Sequence, residues 1–424
     1  MKAYIVASSD FEQDAERRLR WGDHWLKAGI ARALEAQGWT VDASITDATE
    51  VLIHCYGGQT IGNLPAHTYN VLYIHSHPAR LANFDFGMYD RVVAGSERLA
   101  ERLRERGIAA AWNVGATDFV PLDVALEHDA VFVGNNRGAV GDQITRPVIT
   151  ALGDLATLPF KLEVWGEGWE MLPASIWQGK YYPNEELNAL YSGSAVVLND
   201  THADMVEAGI INPRVLDAQM AGAWVVGPKD NEDRRGICEA RIAAARQGEG
   251  PIFAQPNTYA ALVFDLVGGI EPRVRVDLGC GNHKREGYVG IDKVAGEGVD
   301  IVWDIRNGLP VTHGVDYAVA DNPMEHIGAE FVAAMNGVHD VLTDDGRFAV
   351  TVPGAHAPAA AFADPTHVRY FVPETWDYFD VNSERWRDYG QSYGIKPWKV
   401  LRRGVRDRFI DVVLTPVRGS TCAS

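Results

Sequence analysis

The residues best suited to chemistry lie between Val274 and Asp304, VRVDLGCGNHKREGYVGIDKVAGEGVDIVWD. A β-branched run, Val274-Arg275-Val276, ends at Asp277 and breaks into Gly279 and Gly281. Glycine there lets the chain turn sharply and lets a ligand lie against bare peptide, which no Cβ would permit. A second short strand, Tyr288 to Ile291, delivers Asp292 fifteen positions after Asp277, at the carboxyl end of a neighbouring parallel strand. A ribose would sit at that edge. A third strand, Asp300 to Trp303, ends in Asp304, a further acceptor at the same edge. Strand, glycine turn and spaced acids thus follow the order that nucleotide binding needs. The spacing alone fits a dinucleotide, although Lys284 stands at the third glycine of G-x-G-x-x-G.

Such an edge needs an α/β framework behind it. At 424 residues the chain fits two or three domains, each able to bury its own core. Its 39 basic and 57 acidic residues give a net charge of −18. That balance argues against nucleic acid and anionic membranes as partners, since both need clustered cations. The basic cluster from Arg98 to Arg106 lies at helical spacing among acids and reads as a solvated face. Cys55, Cys238, Cys280 and Cys422 are far apart and form no C-x-x-C, which disfavours a zinc site or a disulfide framework and points to a reducing compartment. The opening MKAYIVASSD carries no signal-peptide pattern, and no run of about 18 apolar residues occurs anywhere. A cytoplasmic protein without stable membrane insertion is expected.

Residues 1–122 alternate short apolar strands with amphipathic helices, which predicts a parallel sheet covered on both faces. The strands at Ala3–Ala7, Val51–Cys55, Val71–His75 and Arg91–Ala94 lead into His54, Gly57-Gly58, His75-Ser76-His77-Pro78 and Gly95-Ser96. Those carboxyl ends form the ligand edge of a doubly wound sheet. Asp23-His24 precedes the first long helix, where Asp23 could cap it. The pattern restarts for 123–268, with strands at Ala130–Val133, Leu162–Trp165 and Ala195–Leu198 and a helix that starts after Pro213 and stops at Gly222. The helix Tyr259–Val267 reads as the last element of this second domain, ahead of a short linker. Two such domains in tandem make a cleft between them. A third domain occupies 273–424 and closes with a hairpin from Val400–Leu401 and Phe409–Thr415.

At D-L-G-C-G, G-I-D and W-D-I the third domain resembles class I S-adenosylmethionine-dependent methyltransferases. The resemblance implies S-adenosylmethionine as cofactor, bound by Asp277, Gly279, Gly281, Asp292, Asp304 and Asp321. The pieces M-E-H-I and D-P-T-H-V-R match a branch of that family often found beside sugar-modifying genes. Residues 1–268, loosely at first and clearly from Val131 to Pro228, resemble GT-B glycosyltransferases of the group 1 branch that includes spore-maturation-type proteins. F-V-G-N-N-R, V-W-G-E-G-W, Y-Y-P-N-E-E-L-N-A-L-Y and P-R-V-L-D-A-Q-M-A-G carry that likeness. It implies a UDP- or GDP-linked nucleotide-sugar donor held at the last motif by Arg214 and Asp217. Asp217 takes the ribose-binding place usually held by Glu, and the earlier glutamate of the E-x7-E pattern falls on Gly209, with Glu207 two positions away. The implied fold class is α/β: two Rossmann-like domains of a GT-B glycosyltransferase followed by a Rossmann-like class I methyltransferase domain.

Sugar transfer builds negative charge on the leaving diphosphate, so a cationic or dipolar group must face it. Arg137 and Lys180 are the candidates, and no Asp-x-Asp metal motif ends a strand in this region. His77, with His75, stands where the first domain would hold the acceptor or the donor sugar. Methylating a hydroxyl needs a base near neutral pH, and His326 and His367 border the expected methyl donor. No metal is assigned; Asp321, Asp364 and His367 could build a site only if they converge. The expected function is a bifunctional one, sugar transfer to a glycan, glycolipid or protein acceptor and O-methylation of a sugar hydroxyl. The alternative is an active methyltransferase whose GT-B half only binds carbohydrate. A nucleic-acid methyltransferase is disfavoured by the charge and by Asp321-Asn322-Pro323-Met324, which is not an N-P-P-Y strand end.

Overall fold

The computed structural model describes residues 1–19, 21–136, 141, 143–227, 233–251, 258–271, 273–310 and 314–418. The first sheet contains β1 (Lys2–Ala7), β2 (Thr40–Val41), β3 (Val51–Tyr56), β4 (Tyr69–Ile74), β5 (Arg91–Ala94) and β6 (Ala110–Trp112). They run parallel in the order β2-β1-β3-β4-β5-β6. A parallel strand covered on both faces reads as a continuous apolar run; β3, VLIHCY, is buried along its whole length. The helix Gly22–Ala36 sets Leu26, Ile30 and Leu34, one turn apart, against β1 and β3.

The second sheet holds β7 (His128–Val133), β8 (Leu162–Trp165), β9 (Trp177–Gly179), β10 (Ser194–Leu198) and β11 (Trp224–Val226), parallel in the order β11-β10-β7-β8-β9. The third holds β12 (Arg275–Leu278), β13 (Val289–Asp292), β14 (Ile301–Val302), β15 (Val315–Asp321), β16 (Leu342–Pro353), β17 (Trp398–Arg406) and β18 (Phe409–Pro416). Its order is β14-β13-β12-β15-β16-β18-β17, with β18 antiparallel to both neighbours. The expected α/β class and closing hairpin are thus present. Strands β2, β6 and β9, of two or three residues, are too short to give a sequence pattern of their own.

Sequence order assigns the helix Tyr259–Val267 to the second domain, but in space it closes the first. Leu262, Val263, Leu266 and Val267 lie in one core with Ile5, Ile30 and Val71. In the opposite direction, the second domain's helix Ala203–Ala208 places Met205 and Ala208 among Leu72, Ile74 and Leu99 of the first. The third domain docks on the first through Tyr288, Tyr317, Val319 and Val413 packed around Ala66. Beside that contact Asp90 receives Arg347 at 2.7 Å and Arg273 at 3.4 Å, all three side chains nearly buried. Among the described residues no helix is long and apolar enough to cross a membrane. Cys55, Cys238 and Cys280 are buried free thiols, while Cys422 lies outside the described residues.

Candidate active sites

In open α/β sheets ligands bind beyond the carboxyl ends of the strands where the strand order reverses. In the third sheet that point lies between β12 and β15. A cavity of about 240 Å³ opens there, lined by Gly279 from the turn after β12, Asn322 and Pro323 from the turn after β15, and Asp292, Trp303, Asp304 and His326. Gly279 has φ +68°, and a Cβ on it would stand 2.5 Å from Cβ of Pro323. The two turns at the reversal therefore touch through bare backbone. A Cβ on Gly281 would meet nothing within 4 Å.

Asp292 crosses between the first two turns: Oδ2 accepts from Gly281 N at 3.0 Å and Oδ1 from Val294 N at 2.9 Å. Each oxygen keeps a second lone pair for a ligand. Asp304 caps the turn Ile305–Asn307 and pairs with Arg306, whose hydrogen bonds hold its carboxyl below the usual range. The Trp303 ring is fixed by its Nε1 donating to Gly308 O at 2.9 Å. Asn322, at φ +63°, buries an Oδ1 that has no partner.

Asp277 and Asp321, expected at the cofactor, are instead drawn together by a cation that the sequence reading passed over. Arg285 donates its backbone N and Nη1 to Asp277 (3.0 and 3.2 Å) and its Nη2 to Asp321 (3.1 Å). Neither acid lines the cavity. Both are tied through Arg285 to the connection that carries the glycine turn. The signal available was Arg285 itself, a cation inside a turn flanked by two strand-end acids.

His326 and His367 do meet, with ring centroids 4.9 Å apart. The carbonyl of Glu325 accepts from Val368 N and Arg369 N at 3.0 and 3.1 Å, which staples D-P-T-H-V-R onto M-E-H-I. Arg369 adds a bond to Gly328 O at 2.8 Å and lies over the Phe331 ring. His326 lines the cavity and His367 stands behind it.

The second cleft opens at the reversal between β7 and β10, has about 260 Å³, and takes one wall from the first domain through Leu19, Gly22 and Trp25. Arg146, Lys180, Asp200, His202 and Arg214 bring charged and polar groups to it, with Tyr181 and Tyr182 alongside. Gly134 and Gly166 end adjacent strands back to back, and a Cβ on Gly166 would stand 2.3 Å from Gly134 O. Asp200 Oδ1 accepts from Val148 N at 3.0 Å, while its buried Oδ2 has no partner. Lys180 reaches Glu170 at 3.8 Å across the surface. Arg146, Asp200 and His202 escaped the sequence reading, although N-D-T-H directly follows an apolar strand.

Arg137 lies outside the described residues. His77 is at the rim, its ring 5.0 Å from the His202 ring, and at φ 51° its backbone is left-handed. His75 is buried, and burial pushes it down to about 3, so it stays neutral. Asp23 sits within the first turn of its helix and accepts from Ser9 N at 3.2 Å, so it ties the helix to the end of β1. Glu207 pairs with Arg102 at the surface.

Asp217 does not line the second cleft. Its Oδ1 accepts from the Thr117 hydroxyl at 2.6 Å, which joins the helix Pro213–Met220 to the connection between the first two domains. Burial pushes this carboxyl from 3.8 up to about 6, against the lowering effects of Thr117 and Arg214. The folded state therefore binds this proton more tightly, and its contribution to stability is full below about pH 4 and lost as pH rises through about 6. Asp217→Asn keeps an acceptor for Thr117. It is expected to flatten that fall by up to about 3 kcal/mol, measured by urea unfolding across the same pH range.

Residues 146–240 match the family model described as glycosyl transferase-like. No curated protein matches the chain. Among solved structures, a DhpI complex with SAH is similar at 12% identity over 34% of this chain and 76% of that one, TM-score 0.25. A putative S-adenosylmethionine-dependent methyltransferase from Listeria monocytogenes is similar at 13% identity over 34% and 92%, TM-score 0.23. A putative type 11 methyltransferase from Sulfolobus solfataricus is similar at 18% over 34% and 85%, TM-score 0.24. Residues 146–240 are thus similar to the glycosyl transferase-like family, and the carboxyl-terminal sheet follows them with the order β14-β13-β12-β15-β16-β18-β17.

Proposed function

We propose that the protein is a two-site glycan-modifying transferase that moves a sugar from a UDP- or GDP-linked donor to an acceptor and O-methylates a sugar hydroxyl. The observation that carries this reading is the pair of clefts, each at the order reversal of its own sheet and each holding a buried acceptor without a partner. Those acceptors are Asn322 Oδ1 in one and Asp200 Oδ2 in the other.

The residues present at the first cleft fit S-adenosylmethionine. Gly281 leaves open space beside the turn and Gly279 lets it close against Pro323, Asp292 keeps lone pairs for ribose hydroxyls, Trp303 and Asp304 form the adenine side, and Asn322 offers its free oxygen. When bound, that cofactor supplies an electrophilic methyl group. The chain's own task is then to orient the acceptor oxygen and remove its proton. His326 is the group for this: its Nδ1 lies 3.0 Å from Thr366 Oγ1, which donates onward to Asp364 at 2.6 Å. With Nδ1 as donor, Nε2 keeps the lone pair.

In the second cleft Arg214, Arg146 and Lys180 supply positive charge for a diphosphate. His77 and His202 stand where the first and second domains meet, on the acceptor side. Arg214→Ala is expected to weaken UDP or GDP binding by about 10- to 100-fold, the worth of one charge-assisted hydrogen bond, measured by calorimetry. Fusion of the two sites raises the local concentration of the first product at the second.

Incubation of the full chain with a panel of UDP- and GDP-sugars tests the transfer reading through release of the nucleoside diphosphate. Labelled S-adenosylmethionine and a glycan acceptor test methylation through label recovered in the sugar. Release without label leaves a glycosyltransferase. Label without release supports the second reading, a methyltransferase whose GT-B half binds carbohydrate, which the attachment of Asp217 to Thr117 favours.

A further inference from the structure

We propose that Glu325, His326 and His367 form a binding site for one divalent transition-metal ion at the edge of the methyl-donor cleft. Among the described residues, one carboxylate oxygen of Glu325 and one ring nitrogen of each histidine lie within 4.8 Å of one another. Of the set named from the sequence, only His367 is retained. Asp321 is paired with Arg285; Asp364 gives Oδ1 to Thr366, with Oδ2 3.9 Å from His367 Nε2 at the margin of the cluster.

Three further features separate this cluster from a chance meeting of side chains. Glu325 is 1% exposed, and its Oε2 is buried without a hydrogen-bond partner. A buried carboxylate with a free oxygen is costly unless a cation or a proton reaches it. His367 directs Nδ1 to Ala361 O at 2.9 Å, so that nitrogen carries the hydrogen and Nε2 presents a lone pair, 3.8 Å from Glu325 Oε1. His326 is held in the same way by Thr366. Histidines that bind metals characteristically donate their second ring nitrogen to such an oxygen, which sets both tautomer and orientation.

Two imidazoles and one carboxylate suit zinc, iron(II), manganese or cobalt better than magnesium or calcium, which prefer all-oxygen sets. Three protein ligands also leave positions open for an outside oxygen. His326 lines the cleft, so an ion bound beside it would face the acceptor side. There it would bind a sugar hydroxyl and lower its pKa, and this would replace the base role of His326, whose Nε2 the ion occupies. That role rests on the methyl-transfer reading; the existence of the site does not.

Cobalt(II) titration of the metal-stripped full chain, read by visible absorption and by metal content after dialysis, tests the proposal. The expected result is one ion per chain with d–d bands, and at least about a 100-fold weaker affinity in Glu325→Gln and in His326→Ala. Glu325 is buried and its variant can lose the fold, whereas His326 is exposed, so a thermal melt accompanies both and His326→Ala decides. No bound cobalt in a chain that binds S-adenosylhomocysteine overturns the metal site and leaves the methyltransferase reading standing. Cobalt that stays bound in a folded His326→Ala variant overturns it as well. Cobalt bound through these residues without S-adenosylhomocysteine binding keeps the site and removes the role assigned to it.

Discussion

Gly279→Ala is expected to reduce S-adenosylhomocysteine affinity by about 100-fold or more and to lower stability at the same time. A side chain at φ +68° costs of order 1–3 kcal/mol in backbone strain, and the new Cβ would stand 2.5 Å from Cβ of Pro323. Because that proline neighbours Asn322 and both line the cleft, relieving the clash moves the very wall that faces the ligand. About 3 kcal/mol already corresponds to a factor of about 100 in affinity. Gly281→Ala separates the two effects. At φ +50° it carries the same kind of backbone strain, but no atom lies within 4 Å of its Cβ, so it should cost binding while lowering the thermal midpoint less than Gly279→Ala does. Calorimetry and thermal melting of both variants check this; equal losses of stability would show that the contact with Pro323 does not matter.

Asp90→Ala is expected to be the most destabilising single change at the seam between the first and third domains, by about 3–5 kcal/mol. Asp90 receives Arg347 and Arg273, and its second oxygen accepts from Asn70 N at 2.7 Å. Its removal strands two nearly buried guanidinium groups; burial already holds that of Arg347 below its ordinary pKa, with Asp90 opposing. Replacing the whole cluster with apolar side chains of similar volume should cost far less, because the penalty lies in unpaired charge rather than in a missing attraction. Urea unfolding followed by tryptophan fluorescence measures the loss. Limited proteolysis near residues 268–274, where the chain enters the third domain, reports whether the loss is one of docking.

The parallel strands were legible because burial on both faces leaves nearly uninterrupted apolar runs such as VLIHC and AVVL, and because glycine and acid mark where they end. The same logic found the first cleft: Gly279, Asp292 and Asp304 all line it. What sequence could not give was the direction of side chains whose partners are distant. Asp277 and Asp321 face Arg285, and Asp217 faces Thr117, one hundred positions away, so acids at the right strand or helix ends turned out to brace the fold. Helix Tyr259–Val267 presents its apolar face to the first core, a choice that the order of the chain conceals. Glu325 looks like any acid in a polar turn; only the return of the segment carrying His367 buries it beside two histidines.

The most direct test of the central claim is calorimetric titration of the full chain with S-adenosylhomocysteine and, separately, with UDP and GDP, repeated on Asp292→Ala and Arg214→Ala. Two independent sites predict one equivalent of S-adenosylhomocysteine and one of a nucleoside diphosphate. Asp292→Ala should abolish only the first, and Arg214→Ala should weaken only the second. A folded chain that binds neither ligand, or one in which each substitution affects both, would contradict the account of two separate transferase sites.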